Sequence, residues 1–205
     1  MGRLNSLFRL LPTWAVYLAG AIPLAWLVWL VIGGGIGPDP VKTLERSLGE
    51  WALKFLLASL AISPLRRAGL NLLKFRRALG LLAFAYACLH FTVWLWPDMG
   101  LRWSQIVADL TKRPYLLLGF GALVAMLPLA LTSSNAAIRR LGPKAWGRLH
   151  KLAYPALALG ALHLVILARV WTIEVLVYAG LALLLLALRV QPALAKRRQL
   201  RVARI

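Results

Sequence analysis

Six stretches of this chain are each long and apolar enough to cross a lipid bilayer: residues 13–34, 45–63, 77–97, 114–132, 145–168 and 172–190. A hydrocarbon core of about 30 Å takes roughly 20 helical residues to span. Inside it, backbone N–H and C=O groups find no water, so only helices and closed barrels are viable. Runs near twenty residues, without the ten-residue alternation of barrel strands, select helices. The expected fold is therefore an all-α integral membrane protein, a six-transmembrane helix bundle in one domain over 1–205. The basic stretch 191–205 is expected to form a cytoplasmic tail. With 61% hydrophobic residues, the chain is more apolar than the roughly 45–50% of soluble globular domains.

A formal net charge of +19 would ordinarily raise nucleic acid as a partner. Here most of the basic residues fall in alternate short loops, together with the two ends. None of the six acidic residues (Asp39, Glu45, Glu50, Asp98, Asp109 and Glu174) falls there. Cytoplasmic loops attract Lys and Arg, so the arrangement reads as N-in/C-in and the charge as topological. Glu50 and Lys54 lie within the second stretch, four residues apart in the order that pairs best on a helix face. Six tryptophans (Trp29, Trp51, Trp94, Trp96, Trp103 and Trp171) gather toward the outer interface, as an aromatic belt does. The basic N-terminus has the look of a signal peptide. Its apolar run to Ile32 is too long for one, and it is expected to stay as the first span. "GGGIG" (33–37) follows a membrane span with no strand–turn–helix unit around it, so it reads as a helix exit.

Chemistry-bearing side chains are few. There is one cysteine, Cys88, so neither a disulfide nor a CxxCH haem attachment can form within the chain. Cys88 and Met126 read as packing residues. The three histidines are His90, His150 and His163. Imidazoles inside a membrane are functional candidates by default. The third and fifth spans run the same way, and His90 and His163 both fall in their outer halves. Two neutral imidazoles facing each other across a bundle suit the axial positions of a b-type haem. His150 lies thirteen residues before His163, about 20 Å lower on a straight helix and about 140° around it. Pro155, between them, could reset that register. The matching positions on the third span hold Arg76 and Arg77. Arginine stays protonated and does not ligate iron, but it suits a propionate or a phosphate. The inner site is therefore open between a second haem, another anion and no ligand at all.

Four blocks of the chain, "GPDPVKTLERSLGEWALKFLLASLAISPLRR" (37–67), "RRALGLLAFAYACLHF" (76–91), "KRPYLLLG" (112–119) and "LTSSNAAIRRLGPKAWGRLHKLAYPALALGALH" (131–163), resemble the MsrQ (YedZ) family. These are haem-binding membrane subunits of bacterial methionine sulfoxide reductase systems, within the ferric-reductase and NADPH-oxidase-like transmembrane group. The resemblance covers about residues 10–190. It implies haem b, and FMN, as cofactors. It also implies an inner-membrane electron-transfer subunit fed by the quinone pool or by a cytosolic flavin reductase. The expected acceptor is MsrP, a periplasmic molybdopterin reductase that repairs methionine sulfoxide in oxidised proteins. By motif, His90 in "CLHF", His150 in "RLHK" and His163 in "ALHL" match the family's haem-ligand positions. The larger oxidases of the group carry four histidines, so Arg76 and Arg77 depart from that pattern. The expected role is a relay with no substrate chemistry of its own. A stand-alone metal reductase and a haem-free transporter or assembly factor are the alternatives.

Overall fold

Caps and prolines set where the helices begin. Asp39 accepts a hydrogen bond from the Lys42 backbone N–H at 3.1 Å, and Pro40 occupies the first helical position. Pro114 opens another helix in the same way, and Ser134 caps a third through the Ala137 N–H at 3.0 Å. The computed structural model describes residues 2–168 and 170–202, with side chains for 5–168 and 170–189. All regular structure among them is helical: α1 (Gly2–Leu10), α2 (Thr13–Ile32), α3 (Pro40–Arg67), α4 (Arg76–Val93), α5 (Trp103–Lys112), α6 (Pro114–Leu131), α7 (Asn135–Leu149), α8 (Ala153–Leu167) and α9 (Ile173–Val202). Short 3-10 turns cover Leu73–Phe75 and His150–Leu152, and a π turn covers Trp94–Asp98.

Five helical segments among the described residues are long and apolar enough to cross a membrane: Thr13–Ile32, Pro40–Arg67, Leu73–Asp98, Pro114–Leu131 and Asn135–Leu167. They correspond to the first five of the six expected spans. The sixth, 172–190, falls on α9, whose side chains are described only to Arg189. The backbone of α9 runs on to Val202, and the side chains of the expected basic tail lie outside the described residues. "GGGIG" is the exit from α2, with Gly34 and Gly37 at φ of +70° and +110°, a region that side chains with a Cβ avoid.

The fifth span differs from the single straight helix that its hydropathy suggests. It breaks at Gly142 (φ 75°, ψ 151°), just before Pro143, and again at the 3-10 turn over His150–Leu152. Pro155 accounts for the second break. It has no N–H to offer the Lys151 carbonyl, and its ring crowds that carbonyl. His150 therefore ends one helical segment while His163 lies on the next.

The helices associate as two tight pairs, α3 with α4 and α6 with α8, and α9 packs on α8. Their shared core holds Leu53, Leu56, Leu57, Leu60, Met126 and Leu157, with Ala83 and Ala156 fully buried at the closest approaches. Small residues at such contacts let helices approach without a hydrophobic drive from water.

The first span is attached by a polar device. Leu24 N–H donates to the Tyr86 hydroxyl at 3.0 Å, and that hydroxyl donates to the Gly20 carbonyl at 2.6 Å. The α4 tyrosine thus stands in for the Leu24-to-Gly20 bond of the α2 ladder, beside Pro23, in the manner of a side chain inserted at a kink. Tyr86 is 2% exposed. Replacing it leaves a buried N–H and C=O without partners, a loss of about 1–3 kcal/mol. Tyr86→Phe should therefore lower the thermal unfolding temperature in detergent, measured against a wild-type control.

Candidate functional site

His90 lies near the C-terminal end of α4. Its Nδ1 is 2.8 Å from the carbonyl oxygen of Glu45 on the paired helix α3. His163 on α8 repeats the arrangement, with Nδ1 at 2.7 Å from the Tyr115 carbonyl of α6. A carbonyl only accepts, so in both rings Nδ1 carries the proton and donates. Each neutral imidazole is left with its lone pair on Nε2, the nitrogen suited to a metal. Neither Nε2 makes a hydrogen bond among the described residues.

The two rings approach each other across the boundary between the helix pairs, with centroids 6.3 Å apart and planes inclined at 70°. Two metal–nitrogen bonds of about 2.0 Å on opposite sides of one ion, with about 1.2 Å from nitrogen to ring centre, require a separation a little above 6 Å. The observed spacing fits a bis-imidazole iron. Both rings line one cleft of about 240 Å³, with Gly49, Gly119, Phe91, Trp94 and Met126 among its walls. At its mouth lie Lys42, Arg46 and Arg113. Lys42 is held by Asp98 at 2.6 Å and Glu45 at 3.3 Å, and Arg113 by Asp109 at 3.5 Å. Arg46 makes no ion pair among the described residues.

His150 is not brought into this group. Its ring stacks on Trp146 at 3.8 Å between centroids, and its Nε2 lies 3.0 Å from Thr132 Oγ1. The Thr132 hydroxyl gives its one proton to the Pro128 carbonyl at 2.6 Å, so it accepts from His150 Nε2–H. The nitrogen that is free in His90 and His163 is thus engaged here. His150 lines a second cavity of about 980 Å³ toward the Arg-rich end of the bundle, together with Arg67, Arg76, Arg77, Lys151 and Arg189. Among the described residues, no carboxylate lines it. Arg77 donates to Asn135 Oδ1 at 2.7 Å, and Arg189 donates to Ser63 Oγ at 2.8 Å. Leu56 and Met126 line both cavities and separate them. Cys88 is half-buried and lines neither.

Sequence reasoning singled out the histidines and Arg76 and Arg77. It missed Gly49, Gly119, Thr132 and Trp146, which set how the imidazoles sit. Glycine inside an apolar span signals a close approach, and that signal was present at both positions. The carbonyls of Glu45 and Tyr115 carry no residue-type signal at all.

Apolar helix pairs that bring one imidazole from each pair to within 6.3 Å of the other, ring to ring, point to a multi-pass membrane protein of the ferric-reductase-like class. Residues 45–161 match the family model described as the ferric reductase like transmembrane component. The chain is 44% identical over 187 residues to the protein-methionine-sulfoxide reductase heme-binding subunit MsrQ of Brucella anthropi, covering 91% of this chain and 84% of that one. It is 45% identical over 177 residues to the MsrQ proteins of Brucella ovis and Brucella suis, covering 86% of this chain and 80% of each of theirs. No solved structure matches. The chain belongs to the MsrQ family.

The Lys42 ion pairs lie close to the Glu45 carbonyl, yet the lysine side chain is about half exposed. Exposed pairs of this kind contribute about 0–1 kcal/mol. Lys42→Met should therefore change the unfolding temperature only slightly, because α3 itself holds the carbonyl that anchors His90.

Proposed function

We propose that this chain is the haem b subunit of a methionine sulfoxide reductase system in the bacterial inner membrane. It passes electrons to a periplasmic MsrP-type molybdopterin reductase that repairs oxidised proteins. The observation that carries this reading is the pair of imidazoles with ring centroids 6.3 Å apart, each leaving Nε2 for a ligand because Nδ1–H is bonded to a backbone carbonyl. Haem b held there would supply a one-electron iron centre.

His90 and His163 would hold the iron. Their backbone acceptors fix the tautomer and raise the basicity of the ligating nitrogens, the usual role of outer-shell partners. Arg46 and Arg113 are placed to meet the propionates at the mouth of the cleft. Phe91, Trp94 and Met126 keep the pocket apolar. N-in/C-in orientation puts this pair toward the periplasm, where the acidic residues of the outer loops offer a docking surface for the reductase. The sixth span would be α9.

The inner cavity would be the cytoplasmic entry. Its five cations and stacked Trp146–His150 pair suit an anionic, planar redox group. FMN and a second haem both answer that description. Quinone from the lipid or a cytosolic flavin reductase would deliver electrons on this side. His150 does not offer Nε2 to a ligand while Thr132 holds it, which favours FMN or another anion over iron. Arg76 and Arg77 would neutralise a phosphate or propionate.

Purified protein should show a b-type low-spin absorption spectrum. His90→Ala and His163→Ala should each abolish it, and a normal spectrum in either variant would sink the pairing. A protein that takes up no pigment when expressed with ample haem would instead support a transporter or assembly factor. Reduced protein that reduces ferric chelates but not MsrP would support a stand-alone metal reductase.

For the inner cavity, His150→Ala should leave the haem-to-protein ratio unchanged. Arg76→Gln with Arg77→Gln should slow reduction by quinol or flavin donors severalfold at an unchanged spectrum. A drop in the haem ratio of His150→Ala would assign the inner cavity to a second haem.

A further inference from the structure

Both imidazole seats are built in the same way. On α3, the carbonyl that receives His90 Nδ1 belongs to Glu45, and the residue one turn later is Gly49. A methyl group on Gly49 would lie 3.0 Å from His90 Nδ1 and 3.1 Å from its Cε1. On α6, the carbonyl that receives His163 Nδ1 belongs to Tyr115, and the residue one turn later is Gly119. A methyl group there would lie 3.1 Å from Cε1 and Nδ1 of His163 and 3.2 Å from its Cγ. All of these are below the 3.5–4.0 Å of a relaxed carbon contact. Each ring is thus pinned at one edge by a carbonyl and laid against a bare Cα one turn further on. Neither ring can turn about its metal-facing axis without losing the hydrogen bond or striking the helix.

We propose that Gly49 and Gly119 are positioning residues that lock the two imidazole planes at the steep mutual angle seen here, so that the iron between them has near-perpendicular axial ligands. This rests on the haem reading above. Steeply crossed planes have an electronic consequence. Each imidazole donates through the π orbital normal to its own plane. Crossed planes therefore act almost equally on the two iron orbitals that share the unpaired electron of the ferric state. Parallel planes split those orbitals. Near-degeneracy gives a strongly anisotropic low-spin signal, and splitting gives a rhombic one. The observed inclination of 70° falls in the first regime.

Low-temperature EPR of the ferric, haem-loaded wild-type protein in detergent reads this directly. The expected result is a low-spin signal dominated by one large g feature. A rhombic three-line low-spin signal would overturn the proposal while leaving the haem reading intact, and the absence of low-spin haem would overturn both. Gly49→Ala and Gly119→Ala should each shift the large g feature and the midpoint potential away from the wild-type values. Gly180→Ala is the control, since nothing lies within 4 Å of a methyl group there, and it should leave both unchanged. Loss of haem by either seat variant, with Gly180→Ala fully loaded, supports the seat in the same way. Wild-type g values and potential in both seat variants would refute the positioning role.

Discussion

A neutral imidazole in a membrane has one N–H to place and one lone pair to use, and the surrounding hydrocarbon satisfies neither. In this chain the N–H of His90 and of His163 goes to a backbone carbonyl on the adjacent helix. A helical carbonyl has a second lone pair to spare, so it can accept from a side chain while keeping its place in the helix. Everything at the outer site follows from that choice. The tautomer is fixed, the lone pair is left on Nε2, and the ring is held by main chain rather than by a mobile side chain. The glycine one turn along then lets the ring lie close to the helix that holds it.

The helix pairing serves the same constraint. Each histidine and its acceptor belong to one tightly packed pair, α3 with α4 or α6 with α8. The two seats are therefore internal to rigid units, and the distance between the rings is set by how the units meet. Leu56, Met126 and Leu157, with Ala83 and Ala156, fill that meeting surface. Buried residues with no polar atoms leave little freedom for the units to slide. The close-packed apolar wall thereby fixes the spacing between the two rings.

Much of this was legible in the sequence, and the reasons are physical. Apolar length reports directly on the bilayer, so the first five candidate spans and the nearness of His90 to His163 could be read from hydropathy and helical rise. The geometry that orients the rings could not. The acceptors are main-chain atoms of Glu45 and Tyr115, which any residue would provide. The Tyr86 hydroxyl that replaces a bond in α2 looks, in sequence, like one more aromatic residue in an apolar helix. The turn at His150–Leu152 was legible in part, since Pro155 announces a disruption near Lys151. The partner that takes up His150 Nε2, Thr132, is eighteen residues away, at the C-terminal cap of another helix.

The inner cavity shows why charge alone is ambiguous. Arginines at the cytoplasmic ends of spans are expected on topological grounds, whatever else they do. Position decides what more can be said. Arg77 is tied to Asn135, and Arg189 bonds Ser63 and sits over the Tyr154 ring at 5.3 Å. Both residues line a large cavity whose described lining holds no carboxylate, Arg189 half-buried and Arg77 exposed. A topogenic arginine has no need of such neighbours, since free solvent would serve it better. Cations held together without counter-charges repel one another, and an anion relieves that repulsion. The outer site is anchored by main chain and the inner one by side chains. The first is therefore held to one geometry, while the second is free to adjust its side chains.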